Sequence, residues 1–284
     1  MTVTVLGATG GQGGHVVAAL LAQGVPVRAV VRDASEQRAH ALAGQGVEVV
    51  EGDMSDVASL TAAFTGVGAA FGLTTPFEAG LDAEVRQGEA ITEAAGRAGL
   101  PHLVMASVAS ADRHTGIPHF ETKARVEAAL TASKIPATVV APSYFYDNAY
   151  GSVDEIAVGV MTTGVPADKP LQQVSRRDYG LLVAAVIADR ERWLGQRIEV
   201  AGDEPTPAQM AEVIGRVAGG LVEVRVTPLE SLRASHSDMG AMFVYLAETG
   251  YQVDIPRLRA EFPQISWTPF AEWAAEQRWP TPRR

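Results

Sequence analysis

Short apolar runs alternate with amphipathic stretches from Val3 to Ala141, and this alternation predicts strands and helices in turn. The predicted strands are Val3–Leu6, Val27–Val31, Val47–Glu51, Ala69–Leu73, His102–Ser107 and Ala137–Ala141. The predicted helices are His15–Gln23, Ser35–Ala43, Val57–Phe64, Asp82–Ala98 and Phe120–Ala132, with Ser35 and Asp56 as N-caps. Short turns between elements of both kinds predict an α/β fold with a doubly wound parallel sheet and helices on both faces.

The pattern becomes less regular after Pro142. Helices are expected near 178–190, 207–218, 229–235, 238–249 and 269–277, and short strands near 197–200 and 222–226. We therefore expect residues 1–150 to form one domain, and residues 151–284 to form a smaller α/β cap or substrate region interleaved with it. The segment 145–170, which mixes Gly, Pro and apolar residues, is expected to be a mobile lid. Trp267, Trp273 and Trp279 are expected to anchor packing.

A glycine-rich turn joins the first strand to the first helix. It consists of Gly7, Ala8, Thr9, Gly10, Gly11, Gln12 and Gly13. In a dinucleotide-binding unit such glycines allow a tight turn, close approach of a pyrophosphate and close packing of helix on strand, and the helix N-terminus attracts the phosphates. The turn therefore predicts a Rossmann-type NAD(P) site that uses all of these residues. A plain glycine-rich turn is the alternative.

Arg32 directly follows the second predicted strand, at the point where Rossmann folds read the ribose next to adenine. An arginine at this point suits the 2′-phosphate of NADP, whereas a carboxylate suits the free hydroxyl of NAD. Because Arg32 precedes Asp33, the sequence favours NADP(H) over NAD(H), and Asp33 keeps NAD open. A solvated loop charge is the alternative for Arg32.

Other candidate cofactor contacts follow the later strands, because ligands of open parallel sheets bind at the carboxyl ends of the strands. Asp53 and Met54 follow the third strand and are placed at the adenine. Contacts nearer the cofactor's sugar and nicotinamide are expected from residues after the fourth and sixth strands and from one helical arginine. These are Thr74, Thr75, Pro76, Arg86, Tyr144 and Phe145.

The formal net charge of −10, from 23 basic and 33 acidic residues, changes the range of partners. It argues against nucleic acid or an anionic membrane as a ligand, because either would require a basic surface. The chain has no cysteine and no apolar run near the ~18 residues that span a bilayer. His40, His102, His114 and His236 show no metal-ligand spacing. We therefore expect a cytoplasmic protein without a metal site and with no signal peptide ahead of the fold.

Several motifs together resemble the NmrA-like group of atypical short-chain dehydrogenase/reductases. They are Gly7-Ala8-Thr9-Gly10, Arg32, Gly52-Asp53, the segment from His119 to Glu127, and Ala201-Gly202-Asp203-Glu204-Pro205-Thr206. The resemblance extends over nearly the whole chain. Ordinary short-chain dehydrogenases use Tyr-x-x-x-Lys together with a serine after the fifth strand. Here Lys123 and Ser107 match, but His119 stands at the tyrosine position.

The resemblance implies two functions, which the sequence leaves open. In the first, the protein is a reductase that transfers hydride from NADPH to a quinone or other small carbonyl or enone, with Lys123, His119 and Ser107 as the candidate catalytic residues. Lys123 would also hold the nicotinamide ribose. In the second, the missing tyrosine means that catalysis is lost, and the protein is an NADP(H) sensor that acts through a protein partner.

Overall fold

The computed structural model describes residues 1–283, and the chain forms two compact units. The first unit contains residues 1–112, 119–141 and 179–199. The second contains residues 113–118, 142–178 and those from Val200 onward. Each unit is therefore built from three separate segments of the chain.

The strands and helices have the following bounds. The strands are β1 (Val3–Leu6), β2 (Val27–Val31), β3 (Glu48–Glu51), β4 (Ala69–Gly72), β5 (Leu103–Ala106), β6 (Ala137–Pro142), β7 (Tyr144–Phe145), β8 (Val160–Thr163), β9 (Gln173–Val174), β10 (Arg197–Val200) and β11 (Glu223–Val226). The helices are α1 (Gly11–Ala22), α2 (Gln37–Ala43), α3 (Val57–Phe64), α4 (Pro76–Ala79), α5 (Leu81–Arg97), α6 (Pro118–Ser133), α7 (Val153–Ile156), α8 (Arg176–Ala188), α9 (Arg190–Trp193), α10 (Pro207–Ala218), α11 (Leu229–Ala234), α12 (Asp238–Glu248), α13 (Ile255–Glu261) and α14 (Phe270–Ala275).

The main sheet has the order β10-β6-β5-β4-β1-β2-β3. Pairing is parallel from β6 through β5, β4, β1 and β2 to β3, which confirms the predicted doubly wound sheet. Strand order reverses between β1 and β4, and ligands of such sheets bind at this switch point. Residues 197–200 were expected in the smaller half, but they form a seventh strand beside β6. The strand itself was predicted, and its pairing with β6 was not.

A core of buried side chains holds the helices of the first unit against the sheet. Leu6, Leu60, Phe64, Ile91 and Leu103 are each at most 1% exposed and belong to one apolar cluster. Burial of such side chains is the main source of stability in an α/β domain. This core fixes the backbone at the strand ends, where the candidate site lies.

Two helix starts differ from the sequence expectation. Helix α1 begins at Gly11 rather than at His15, so that the glycine-rich turn itself supplies the first helical turn. Helix α2 begins after Glu36, and Ser35 does not cap it. The Ser35 amide and hydroxyl instead donate to the Asp33 carboxylate, at 2.8 and 2.6 Å. Asp56 caps α3 as predicted.

The second unit contains two small parallel sheets, β8 with β11 and β7 with β9. Strand β11 was predicted, whereas β8 lies in the segment that was expected to be a lid. An aromatic cluster forms this unit's core, with Tyr146, Phe270, Trp273 and Trp279 all buried. The packing expected of Trp273 and Trp279 is therefore confirmed. Within residues 1–283, no helix combines the length and apolar character that crossing a bilayer requires.

Candidate functional site

The glycine-rich turn lies at the carboxyl end of β1 and requires glycine for steric reasons. Gly7 has φ +61°, and a Cβ atom there would lie 2.8 Å from Leu73 Cδ2. A Cβ atom on Gly13 would lie 2.3 Å from the Gly7 carbonyl oxygen. The Gly10 amide donates to the same oxygen at 2.9 Å, which closes the turn. The backbone can adopt this path only without side chains at Gly7 and Gly13.

The N-terminus of α1 offers donors to an anion. Its N-cap is Gly10, no side chain bonds to its first amides, and its first turn carries no acidic residue. The first amides of a helix have no intrahelical acceptor, and the helix dipole adds positive potential there. Gln12 Oε1 is buried and has no hydrogen-bond partner among the described residues. A dinucleotide pyrophosphate therefore fits the residues present, including the buried Ala8 and half-buried Thr9 that complete the turn.

The two charged residues after β2 have different surroundings. The Arg32 side chain is 80% exposed and its guanidinium lies 3.4 Å from the Glu78 carboxylate. The Asp33 carboxylate is engaged by Ser35, and these hydrogen bonds hold the pKa of Asp33 below its usual value. Arg32 is thus available at the surface, whereas Asp33 stabilises its own loop.

Asp53 and Met54, which follow β3, both have partners within the first unit. Asp53 Oδ1 accepts from the Ser55 amide at 2.7 Å, and the Asp53 amide donates to the Ser59 hydroxyl at 3.2 Å. The half-buried Met54 packs against the core of the first unit. Their proposed contacts with adenine stay predictions.

A buried polar cluster lies at the carboxyl end of β4 and is centred on Lys123. Lys123 Nζ donates to Glu84 Oε1 at 2.9 Å, to the Thr74 hydroxyl at 2.8 Å and to the Thr74 carbonyl at 3.0 Å. The Thr74 hydroxyl donates to Glu84 Oε1 at 2.9 Å, and the Thr122 hydroxyl donates to the other carboxylate oxygen. Glu84 is fully buried. We call these four residues the Lys123 cluster.

The charges of the Lys123 cluster balance each other away from water. Burial lowers the pKa of Lys123, and the adjacent Glu84 carboxylate opposes that effect without fully cancelling it. Its three ammonium donors all have acceptors within the protein. Lys123 therefore ties α6 to α5 and to the end of β4.

Sequence reasoning missed Glu84, although a signal was present. Glu84 lies on the same side of α5 as Gln87 and Ile91, at helical spacing along the buried face of that helix. Gln87 Oε1 accepts from the Thr75 amide at 2.9 Å. A carboxylate and an amide on an otherwise apolar face indicate polar partners elsewhere in the fold. Here the partners of Glu84 are the Thr74 and Thr122 hydroxyls and the Lys123 ammonium, whereas Gln87 binds Thr75. Thr74 and Thr75 belong to one of the predicted cofactor segments.

Ser107 belongs to a second network, which the sequence did not indicate. Its hydroxyl donates to the Glu127 carboxylate. Glu127 in turn pairs with Arg197, with Nε 2.9 Å from Oε2, and Arg197 also pairs with Glu199 at 2.9 Å. Burial alone lowers the pKa of Arg197, but its ion pairs outweigh this effect and raise it. The Ser107 hydroxyl is thus held by a carboxylate, and its catalytic role stays a prediction.

His119 lies in the first turn of α6, four residues before Lys123 and on the same face. The imidazole is buried, and its centroid lies 4.7 Å from the Phe120 ring and 5.4 Å from the Phe77 ring. Phe77 belongs to the short helix α4, which Pro76 begins, and it is 69% exposed. Two aromatic rings, Phe120 edge-on and Phe77 tilted, therefore contact the residue that replaces the tyrosine.

The remaining predicted residues lie in two places. Arg86 is exposed on α5 in the first unit. Tyr144 and Phe145 form β7 in the second unit, where the Arg176 guanidinium lies 5.7 Å from the Phe145 ring centroid. Burial raises the pKa of Tyr144 to about 12, so its phenol is protonated at neutral pH. Among residues 1–283, no three His, Asp or Glu side chains are grouped as a metal site would require.

Comparison with known proteins finds relatives that cover nearly the whole chain. The model of the NmrA-like family matches residues 1–274. Quinone oxidoreductase 2 of Escherichia coli is 31% identical over 224 residues, which are 76% of this chain and 74% of that protein. A (4-alkanoyl-5-oxo-2,5-dihydrofuran-3-yl)methyl phosphate reductase of Streptomyces griseus is 27% identical over 284 residues, 96% of this chain and 97% of the relative.

Solved structures show the same architecture. The crystal structure of the Escherichia coli NADPH-dependent quinone oxidoreductase with NADPH has a TM-score of 0.81 at 25% identity, covering 96% of this chain and 98% of that one. The negative transcriptional regulator NmrA in complex with NAD has a TM-score of 0.81 at 20% identity, covering 97% and 94%. The second likeness is one of fold alone.

Proposed function

The chain belongs to the NmrA-like family of NAD(P)-dependent oxidoreductases, and from this we propose that it reduces a quinone or similar conjugated carbonyl compound with NADPH. One observation carries the proposal. Gly7 approaches the Leu73 side chain, and the next residue, Thr74, holds the Lys123 ammonium. The pyrophosphate cradle and the buried lysine therefore lie at the ends of neighbouring strands, as a dinucleotide that spans them requires.

In this reaction the bound dinucleotide supplies a hydride, which together with one proton converts a quinone to a hydroquinone. The role of the protein is to position the cofactor and the quinone. The α1 amides would hold the pyrophosphate, and Lys123 would exchange one of its two bonds to Thr74 for a ribose hydroxyl while Glu84 keeps the ammonium in place. The reduced quinone oxygen is stabilised by conjugation, so water can protonate it without a tyrosine. His119 and the Phe77 ring shield this end of the site.

Arg32 supports NADPH rather than NADH as the cofactor. Its guanidinium is exposed and has one surface carboxylate partner, Glu78, which a phosphate can displace at little cost. Asp33, the alternative reader of a ribose hydroxyl, is engaged by Ser35. The named Escherichia coli relative is NADPH-dependent, in agreement with this choice.

The proposed function is tested by titrating the protein with NADPH and NADH, followed by addition of a quinone. We expect tighter binding of NADPH and its oxidation after the quinone is added. Arg32→Ala should weaken NADPH by about tenfold, the equivalent of ~1.4 kcal/mol, and should leave NADH unchanged. Arg38→Ala, an exposed arginine on α2, is the matched control and should change neither affinity. Tight NADPH binding without oxidation of any quinone or enone would contradict the reductase.

The second candidate is a cofactor sensor without catalysis, acting through a protein partner. Two observations favour it. His119 replaces the tyrosine that donates the proton in ordinary short-chain dehydrogenases. All three hydrogen-bond donors of the Lys123 ammonium have acceptors within the protein. Such a protein needs a segment that responds to the cofactor. The segment 145–170, which includes β8, is the one the sequence marks for that role.

Limited proteolysis tests the sensor candidate. If the cofactor changes this segment, cleavage within 145–170 should slow at least severalfold when NADPH is bound, because protection follows the population of open conformations. The measurement is mass spectrometry of timed digests with and without NADPH. Proteinase K is the protease, because the one basic residue of 145–170, Lys169, precedes Pro170 and resists cleavage after basic residues. Cleavage near the exposed Arg257 of α13 serves as an internal control. Identical digestion patterns would remove this candidate.

A further inference from the structure

The hydrogen-bond donor of the Ser107 hydroxyl is already committed within the first unit. It donates to Oε1 of Glu127. The Arg197 guanidinium donates to both oxygens of that carboxylate, from Nε to Oε2 at 2.9 Å and from Nη2 to Oε1 at 3.3 Å. A carboxylate paired in this way with an arginine is ionised and can only accept hydrogen bonds. The Ser107 proton therefore belongs to Glu127, and its oxygen can serve a ligand only as an acceptor.

The same network fixes the backbone around Ser107. Arg197 Nη2 donates to the Val108 carbonyl at 3.0 Å, and the Ser107 amide donates to the Val140 carbonyl of β6 at 3.0 Å. Ser107 is 6% exposed, and the Glu127 side chain is 13% exposed. Turning the hydroxyl toward a ligand would leave a buried carboxylate oxygen short of a donor, which is costly. The direction of the hydroxyl is therefore set before any ligand binds.

The charge around Ser107 also favours a ligand group that donates. The Arg197 guanidinium pairs with the carboxylates of Glu127 and Glu199, each at 2.9 Å. The half-exposed Asp112 adds a third carboxylate at 3.6 Å. Even the two less exposed carboxylates outnumber the one guanidinium, so the network is negative. Such surroundings repel the oxyanion that forms when a carbonyl accepts a hydride and attract an N–H group.

Ser107 lies beside the residues assigned to the nicotinamide ribose. It follows β5, which pairs in parallel with β4, and Thr74 beyond the end of β4 holds the Lys123 ammonium. Glu127 follows Lys123 by four residues on α6 and therefore lies one turn further along the same face. The ring that this ribose carries has one N–H donor, the NH2 group of its carboxamide, and an amide NH2 can only donate.

We propose that Ser107 binds the cofactor rather than the carbonyl substrate, and that its oxygen accepts a hydrogen bond from the carboxamide NH2 group of nicotinamide. Glu127 and Arg197 are positioning residues, because they fix the direction of the hydroxyl. The inference rests on the proposed function and adds to it the residue that orients the nicotinamide ring.

Binding of two dinucleotides tests the inference without turnover. NADP⁺ carries the carboxamide, whereas its 3-acetylpyridine analogue carries a methyl ketone, which keeps the carbonyl and lacks the NH2 group. Calorimetry measures the dissociation constant of each. We expect NADP⁺ to bind at least about fivefold more tightly, the equivalent of ~1 kcal/mol for one hydrogen bond.

Three variants locate this bond. Ser107→Ala removes the acceptor and should reduce the preference for NADP⁺ to below about twofold. Glu127→Gln should reduce it equally, because the glutamine NH2 group donates to Ser107 and turns the hydroxyl proton toward the ligand. Thr131→Ala is the matched control, since it removes an α6 hydroxyl that donates to the Glu127 carbonyl at 2.9 Å, and it should keep the wild-type preference. Thermal melting checks that each variant is folded.

The outcomes separate this inference from the proposed function. Equal affinity of the wild-type protein for the two dinucleotides, or an unchanged preference in Ser107→Ala, would overturn the inference while the reductase stands. An unchanged preference in Glu127→Gln alone would contradict the positioning role. Absence of NADP⁺ binding would overturn both proposals. A preference that Ser107→Ala abolishes, in a protein that oxidises NADPH with no quinone, would support the carboxamide contact and contradict the reductase.

Discussion

Replacing Lys123 with methionine should lower the free energy of unfolding by about 3–5 kcal/mol, because a buried carboxylate then loses its counter-charge. Glu84 is fully buried, and the ammonium is its only cationic partner among the residues shown to contact it. The Thr74 and Thr122 hydroxyls can still donate, but they carry no charge to balance the carboxylate. Urea unfolding at neutral pH measures the change.

A double-mutant cycle separates loss of the pair from loss of the lysine. Glu84→Leu combined with Lys123→Met should recover most of the stability, since an apolar pair of similar volume replaces a buried ion pair at little cost. NADPH affinity should stay reduced in the double variant if Lys123 binds the ribose. The exposed pair Glu93–Arg97 on α5 is the control, and removing it should cost less than about 1 kcal/mol. A similar small cost for Lys123→Met would contradict the buried pair.

Gly13→Val should weaken NADPH by at least about a hundredfold, or ~2.7 kcal/mol, because the new side chain cannot fit the turn. Its Cβ atom would lie 2.3 Å from the Gly7 carbonyl oxygen and 2.7 Å from the Leu6 carbonyl oxygen. Both contacts are with backbone, so the turn itself must move away from the pyrophosphate position. Nicotinamide fluorescence during a titration measures the affinity.

The control for this change is another helical glycine of the same unit. A Cβ atom on Gly96 would meet an Ile135 methyl group at 3.6 Å, an ordinary contact. Gly96→Ala should therefore preserve NADPH affinity and gain the helix propensity of alanine. If Gly13→Val binds NADPH as tightly as Gly96→Ala, the glycine-rich turn is not the pyrophosphate site.

Local signals predicted the parts of the fold that depend on neighbours in sequence. Strand β2 and helix α3 have the predicted bounds, and Asp56 caps α3, because apolar periodicity and capping act within a few residues. The glycine-rich turn was recognisable for the same reason. At Gly13 the need for glycine is set by Leu6 and Gly7, which lie close in sequence, whereas at Gly7 the neighbouring side chain is Leu73, which follows β4.

The features that sequence reasoning missed depend on distant residues. Strand β10 pairs with β6, and β8 pairs with β11, across long stretches of chain whose meeting no periodicity reveals. The partners of Glu84 likewise lie on β4's end and on α6. Glu84 stood on the apolar face of its helix, so the sequence indicated that a partner exists but not which one.

The position of β10 in the sheet determines where the chain can be cut to give a folded fragment. Truncation after residue 141 would remove β10 and leave β6 as an unprotected edge strand. The apolar Val139, Val140 and Ala141 would then present open backbone donors and acceptors, which invite pairing between chains and aggregation. A nucleotide-binding fragment therefore cannot be obtained by one cut, and it would need residues 179–199 supplied on the same chain or as a second peptide.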